Sequence, residues 1–171
     1  MTDPLKIEFE MIGHGWAKCR LHFGGQPYEM NGVSYCTDAL GDIVRVAVLM
    51  VTGHHAGRLS FDAEPMEWRW VLNRHWQDDA NLSREGLRLR ILTFQDIYAE
   101  QPDDQGAPEF EAICEPEEFA RAVVWAASKV WEEVGAEAYA KTWRGIPFPS
   151  RALAALKAAL ELPPDPAQQH Q

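Results

Sequence analysis

The sequence predicts an α+β fold: an antiparallel sheet of about six to eight strands, with a central helix (37–52) and C-terminal helices packed on one face. The leading observation is that apolar and charged residues alternate along strand-like stretches. Ile7, Phe9 and Met11, for example, alternate with charged neighbours. Side chains on a strand point to opposite faces with period two, so one face should be covered and one solvated. A second observation is that apolar residues recur at helical spacing in one central stretch and in several C-terminal stretches.

The N-terminal part of the chain predicts two hairpins. Strands are expected over 5–12 and 16–23, joined by a Gly-His-Gly turn. Asn31-Gly32 is the preferred dipeptide of a tight hairpin turn. We therefore expect the chain to reverse a second time at these two residues.

The central helix should begin near Thr37 and Asp38, because either side chain can cap free backbone N–H groups. Apolar residues then recur at helical spacing until Gly53 ends the run. The second half of this stretch is apolar nearly all round, which predicts a deeply buried helix.

Strands with the same alternation follow the central helix. They are expected over 57–63, 66–75 and 86–94, and an acidic loop then leads to a last strand from Glu109 to Cys114. The charged side chains of these strands should share the solvated face.

Three helices are expected in the C-terminal part, over 116–135, 136–143 and 150–162. Pro116 suits the first position of a helix, where its missing N–H costs nothing. We expect one globular domain over 1–162 and a disordered tail over 163–171.

The charge balance excludes some classes of partner. The 26 acidic and 16 basic residues give a formal net charge of −10. Such a field repels phosphate backbones and anionic membrane surfaces, so we expect no nucleic acid and no membrane as partner. The longest apolar run, Val46 to Val51, is also far too short to span a bilayer. An acidic surface favours a basic partner instead.

Cysteine and histidine usage points to a reducing compartment and to no metal site. Cys19, Cys36 and Cys114 form neither a paired framework nor a Cys-x-x-Cys knuckle. The start of the chain lacks a basic segment followed by a long apolar run, so we expect no export signal and a cytoplasmic location. No histidine pair has metal-ligand spacing and no glycine-rich phosphate loop is present, so no metal and no cofactor are predicted.

Cys36 is the leading catalytic candidate. It lies just before the predicted start of the central helix, where the helix dipole would lower the pKa of a thiol. A nucleophile also needs a base, and no motif ties a histidine to this cysteine. Structural, inert cysteines are the commoner case. The sequence leaves open whether the protein is an enzyme.

Charged residues on the predicted solvated face form the largest group of candidate binding residues. They are Arg58, Asp62, Glu67, Arg69, Arg88, Arg90, Glu109 and Glu111. Cross-strand pairs of opposite charge contribute only ~0.2–1 kcal/mol each, so we expect a solvated face with ordinary ion pairs. The alternative is a polar binding surface.

Trp125 differs from the other tryptophans. It lies opposite the apolar stripe of its predicted helix, close to Lys129. We expect the C-terminal helix to cover it, since alanine-rich helices pack closely. The alternative is an exposed aromatic residue of the kind that anchors an interface.

Two strings, Met11 to Ala17 and Val33 to Asp42, resemble small uncharacterised bacterial α+β proteins. The acidic charge, the size and the lack of a catalytic motif resemble immunity proteins of polymorphic toxin systems. This resemblance implies a protein that acts by binding and masks a basic protein partner. One alternative is a small enzyme or ligand-binding protein with a pocket between sheet and helices. Another is a homodimer that associates through a sheet edge or Trp125.

Overall fold

The structure, a computed structural model, describes residues 3–79 and 82–162; the side chains of 76–84 lie outside the description. The predicted tail (163–171) lies outside it too. The described strands are β1 (Lys6–Gly13), β2 (Trp16–Phe23), β3 (Gln26–Ser34), β4 (Ala56–Ala63), β5 (Met66–Asp79), β6 (Leu82–Phe94) and β7 (Ala107–Cys114). The described helices are α1 (Ala39–Val51), α2 (Pro116–Glu133), α3 (Ala136–Thr142) and α4 (Ser150–Ala159).

The fold is α+β, but the described strands form two antiparallel sheets. One sheet has the order β1-β2-β3 and the other has the order β4-β5-β6-β7. The expectation of a single sheet is therefore not confirmed. Helix α1 connects the two sheets in the chain, so β3 and β4 are not joined by a hairpin, and their backbones do not pair.

The second reversal of the chain lies at a different place from the one predicted. Gly24 and Gly25 join β2 to β3, and both have positive φ angles of 56° and 79°, as a tight hairpin turn requires. Asn31-Gly32 lies inside β3 instead. Ala17 pairs with Val33 while Lys18 pairs with Asn31, so Gly32 (φ 117°) is the extra residue of a bulge. A glycine after asparagine suits both structures, because glycine adopts the positive φ of the tight turn and of this bulge without strain.

Helix α1 confirms the expectation of deep burial. Most of its residues are buried, and it packs against β4, α2 and α4. The expected side-chain cap is wrong, however. The helix begins at Ala39 with Asp38 as the preceding residue, and the Asp38 carboxylate accepts a hydrogen bond from Arg45 rather than from a backbone N–H.

The inner faces of the two sheets share one core. The fully buried indole of Trp70 donates to Met30 Sδ (3.2 Å), and Trp68 Nε1 donates to the Tyr28 hydroxyl (3.1 Å). The Tyr28 ring also stacks on Phe110, with 5.8 Å between ring centroids. These contacts join β3 to β5 and β7. The alternation along each strand therefore buries both sheets against each other and the helices.

In the described part of the chain, the structure has no helix with both the length and the apolar character needed to cross a bilayer.

The close approach of α1 to β4 gives a first prediction. A Cβ added at Gly57 would lie 2.5 Å from Val46 Cγ2 and 3.2 Å from Met50 Cε, so Gly57→Ala should displace the helix. We expect a loss of ~1–3 kcal/mol in the free energy of unfolding, measured by urea denaturation.

Gly86→Ala is the matched control for this substitution. Gly86 also lies in a strand, but the atoms nearest its added Cβ would be 3.5 Å away or more. This substitution should be close to neutral. Equal losses for the two variants would contradict the proposed packing of α1 on β4.

Candidate binding groove

A groove of about 950 Å³ lies along the first sheet, where helix α2 approaches it. We call it the Trp125 groove. Its lining residues are Leu5, Lys6, Glu8, Arg20, Leu21, His22, Pro27, Tyr28, Glu29 and Trp125. Helix α2 supplies Trp125, and the other residues belong to β1–β3 and the residue preceding β1.

The strand register builds the floor of the groove. Glu8 lies opposite Arg20, and Arg20 lies opposite Glu29, so one charged row crosses all three strands. The neighbouring row, Ile7 and Leu21, is buried because it points to the opposite face. The same alternation that forms the core thus places charged side chains on the floor of the groove.

Arg20 is surrounded by carboxylates. Its Nη1 lies 2.8 Å from Glu10 Oε2, and its Nε lies 2.8 Å from Glu29 Oε2. Hydrogen bonds to Glu29 and Glu10 raise the pKa of Arg20, so it remains a cation. Exposed ion pairs of this kind add little to the stability of the fold.

Trp125 forms the helical wall of the groove. It is 50% exposed, so the expectation that the C-terminal helix covers it is wrong. Helix α4 packs on α1 and α2 without burying this ring. The predicted position of Trp125 opposite the apolar stripe is confirmed, since Phe119, Val123, Ala126 and Val130 of that stripe are buried while Trp125 is exposed.

An acidic segment lies beside the groove. Between residues 91 and 120 the chain has nine carboxylates and no lysine or arginine. We call them the acidic band: Asp96, Glu100, Asp103, Asp104, Glu109, Glu111, Glu115, Glu117 and Glu118. All except Asp103 and Glu118 belong to exposed residues. The sequence showed the acidic loop before the last strand, but the carboxylates of β7 and α2 were not joined to it, because basic residues were counted only over the whole chain.

Two contacts fix the acidic band next to the groove. The backbone N–H of Leu5 donates to Glu118 Oε1 (2.7 Å), and Tyr28 stacks on Phe110 in β7. The pKa of Tyr28 is raised. Burial is the main cause and the nearby carboxylate of Glu109 contributes, while the hydrogen bond from Trp68 acts to lower it. Leu5 and Tyr28 both line the groove, so the groove adjoins this segment of the chain at Glu118 and Phe110.

The predicted charged face of the second sheet is only partly solvated. Arg69, Glu67 and Asp62 are buried, which corrects the expectation that they face water. The Arg69 guanidinium pairs with both carboxylate oxygens of Glu67 at 2.9 Å. Its Nη1 also donates to the Gln101 carbonyl (2.7 Å) and to Asp103 Oδ1 (2.9 Å). The connection between β6 and β7 thus folds back over this face.

Burial lowers the pKa of Arg69, but hydrogen bonds to Glu67 and Asp103 outweigh it and hold the pKa above its ordinary value. The guanidinium also lies 3.9 Å from the centroid of the Phe94 ring. Val71, Leu92 and Phe94 form a small second core beneath the connection. Arg69 and Glu67 therefore anchor a loop and present no open surface to a ligand.

Three other predicted site residues remain at the surface. Arg58 pairs with Asp103 at 3.1 Å, and Arg88 pairs with Glu111 at 2.7 Å. Arg90 lies opposite Glu111 in the register of β6 and β7. These arginines line the second sheet, so the structure does not bring them together with Trp125 in one site.

Cys36 lacks the surroundings of an activated nucleophile. Its exposed thiol donates to Glu64 Oε1 at 3.3 Å and lies before α1 without joining the helix. A hydrogen bond from Ser34 acts to lower the pKa of Cys36. Burial, the bond to Glu64 and the charges of Asp62 and Glu64 outweigh it and raise the pKa. The geometry favours the neutral thiol.

The carboxylates near the start of α1 are also paired. Arg45 Nη2 donates to Asp38 Oδ2 (2.6 Å) and to Asp42 Oδ1 (2.7 Å), as expected for ion-pair stabilisation of a first helical turn. Burial raises the pKa of nearby Tyr139, and Asp38 adds to this, so the phenol stays protonated.

Over the described residues, no three His, Cys, Asp or Glu side chains come together as a metal site.

Comparison with known proteins found no relative. No protein-family model matches the chain, and neither the curated proteins nor the solved structures gave a match.

The buried Arg69–Glu67 pair gives a second prediction. Arg69→Met would leave the Glu67 carboxylate, which is 3% exposed, without a counter-charge. Breaking a buried pair in this way costs about 3–5 kcal/mol of unfolding free energy. Arg58→Met removes an exposed partner of the same Asp103 and should cost less than ~1 kcal/mol. Equal urea midpoints for the two variants would show that Arg69 does not anchor the loop.

The thiol of Cys36 gives a third prediction. Glu64→Gln removes a charge that repels the thiolate, so the pKa of Cys36 should fall. Its iodoacetamide labelling at about pH 8, below the ordinary thiol pKa of ~8.5, should then become several-fold faster. Cys36→Ser provides the blank, because burial raises the pKa of Cys19 and of Cys114 to about 12. An unchanged labelling rate would exclude Glu64 as the group that holds the proton on the thiol.

Proposed function

We propose that this protein acts by binding a basic protein partner in the cytoplasm, and that the partner docks on the Trp125 groove and the acidic band. The observation that carries the proposal is that a half-exposed tryptophan lies in a groove contacted by Glu118, which belongs to a stretch of sequence (91–120) with nine carboxylates and no lysine or arginine. Two of these carboxylates, Asp103 and Glu111, pair with arginines from other parts of the second sheet. A field of one sign steers a partner of the opposite sign, and a large aromatic residue anchors it.

The proposed role is like that of immunity proteins, which mask a partner's functional surface. Several features support masking over catalysis. The pKa of the Cys36 thiol is raised, which disfavours the thiolate, and the carboxylates near the start of α1 are ion-paired. The described cysteines are free thiols, which suits the reducing cytoplasm.

A second copy of this chain fits the surface less well than a basic partner does. In a symmetric dimer through this face, the acidic bands of the two copies would approach each other and repel. The homodimer alternative would therefore have to use another surface.

A small ligand is the second candidate occupant. The groove volume of about 950 Å³ falls in the range of ~300–1,000 Å³ that is usual for ligand pockets. The carboxylates on its rim would select a cationic molecule. Arginine amide can serve as the probe, since it carries a guanidinium without a polypeptide surface.

The proposed function predicts that the protein binds a fluorescein-labelled peptide of alternating arginine and glycine. In fluorescence anisotropy titrations, Trp125→Ala should weaken binding by about tenfold, the loss of ~1.4 kcal/mol expected for an aromatic anchor. Neutralising three carboxylates of the band, with Asp104→Asn, Glu109→Gln and Glu117→Gln together, should weaken it by a similar factor. Raising salt to ~0.5 M should weaken it further, because the Debye length falls to ~4 Å.

The matched control neutralises three exposed carboxylates outside the band: Glu132→Gln, Glu133→Gln and Glu137→Gln. This variant has the same net charge as the band variant. If both variants lose affinity equally, the peptide responds to net charge alone and the proposed docking surface is wrong. Tight binding of arginine amide with no gain for the peptide would favour the small-ligand function instead.

A further inference from the structure

Helix α2 places a cation of the protein itself against Trp125. Residues 125 and 129 are four apart, so they lie on the same face of α2. Lys129 Nζ lies 5.0 Å from the centroid of the Trp125 ring. The same ammonium lies 3.7 Å from Glu8 Oε1 on β1. Trp125 and Glu8 thus form a cradle with an aromatic face and a carboxylate, and Lys129 occupies it.

The cradle holds Lys129 loosely. The side chains of Lys129 and Glu8 are 40% and 42% exposed, and Trp125 is 50% exposed. Water screens an exposed ion pair, and a cation–π contact at the surface is weak. A second cation can therefore replace the ammonium without breaking a buried interaction.

We propose that Lys129 is a built-in competitor, which fills the cradle in the free protein and is displaced when a side chain of the basic partner enters it. This inference rests on the proposed function and names the recognition element of the same groove. The arriving side chain is best an arginine. Its planar guanidinium stacks on an indole face and pairs with Glu8 Oε1, while Glu8 Oε2 stays 4.0 Å from Arg20 Nη1; an ammonium acts only as a point charge.

The competition has a consequence for selectivity. A partner gains only the difference between its own contact with the cradle and the contact that Lys129 gives up. A lysine of the partner therefore gains little from the cradle, because its ammonium replaces the ammonium of Lys129. A partner with arginine at this position gains more, so Lys129 favours arginine-bearing partners.

The test compares Lys129→Met with Lys141→Met. Lys141 is an exposed lysine on α3, so the two variants have equal net charge. Methionine keeps the length of the side chain and removes the ammonium. In anisotropy titrations with the arginine–glycine peptide, Lys129→Met should bind about three- to tenfold more tightly than Lys141→Met. The gain should vanish when Trp125→Ala is added, and it should be smaller for a peptide of alternating lysine and glycine.

The outcomes separate this inference from the proposed function. If the wild-type protein binds the peptide and Trp125→Ala weakens binding, but Lys129→Met and Lys141→Met bind equally, then only the competitor role is overturned. A gain that survives in the Lys129→Met, Trp125→Ala double variant overturns it as well. If the wild-type protein fails to bind the arginine–glycine peptide, the proposed function and the competitor role fail together.

Discussion

The buried guanidinium of Arg69 is the interaction on which the arrangement of the outer surface depends. It joins Glu67 on β5 to Gln101 and Asp103 in the β6–β7 connection, and so closes one sheet face with a loop. Asp103 belongs to the acidic band, so the same contact fixes part of that band in place. The first sheet and helix α2 instead leave the Trp125 groove between them.

The alternation of apolar and charged residues was sufficient to predict the strands, but it did not identify which strands pair. Ile7 and Leu21 have the same pattern whether one sheet forms or two. The division into two sheets depends on contacts between distant residues, such as Trp70 with Met30. Asn31-Gly32 shows the same ambiguity at a smaller scale, because a positive φ serves a bulge as well as a turn.

The candidate site was also predictable only in part, because local patterns place a side chain on a face of its element but do not show what packs over that face. Helical spacing correctly placed Trp125 opposite the buried stripe of α2, but which helix covers that side is set by tertiary packing. Arg69 and Arg88 occupy equivalent positions in an alternating pattern, yet only Arg69 is buried, because the β6–β7 connection folds over it. The acidic band was visible in the sequence as a run without lysine or arginine. Its position beside the groove required the contacts of Leu5 and Tyr28.

The proposed docking surface for a cationic partner consists of the Trp125 groove and the acidic band. The most direct measurement is a ¹H–¹⁵N correlation spectrum recorded while the arginine–glycine peptide is added. If the peptide docks there, shift changes should appear at the Trp125 indole, at the amides of Glu8 and Arg20, and along the acidic band. Changes centred on α3 and α4, or spread evenly over the surface, would contradict this proposal.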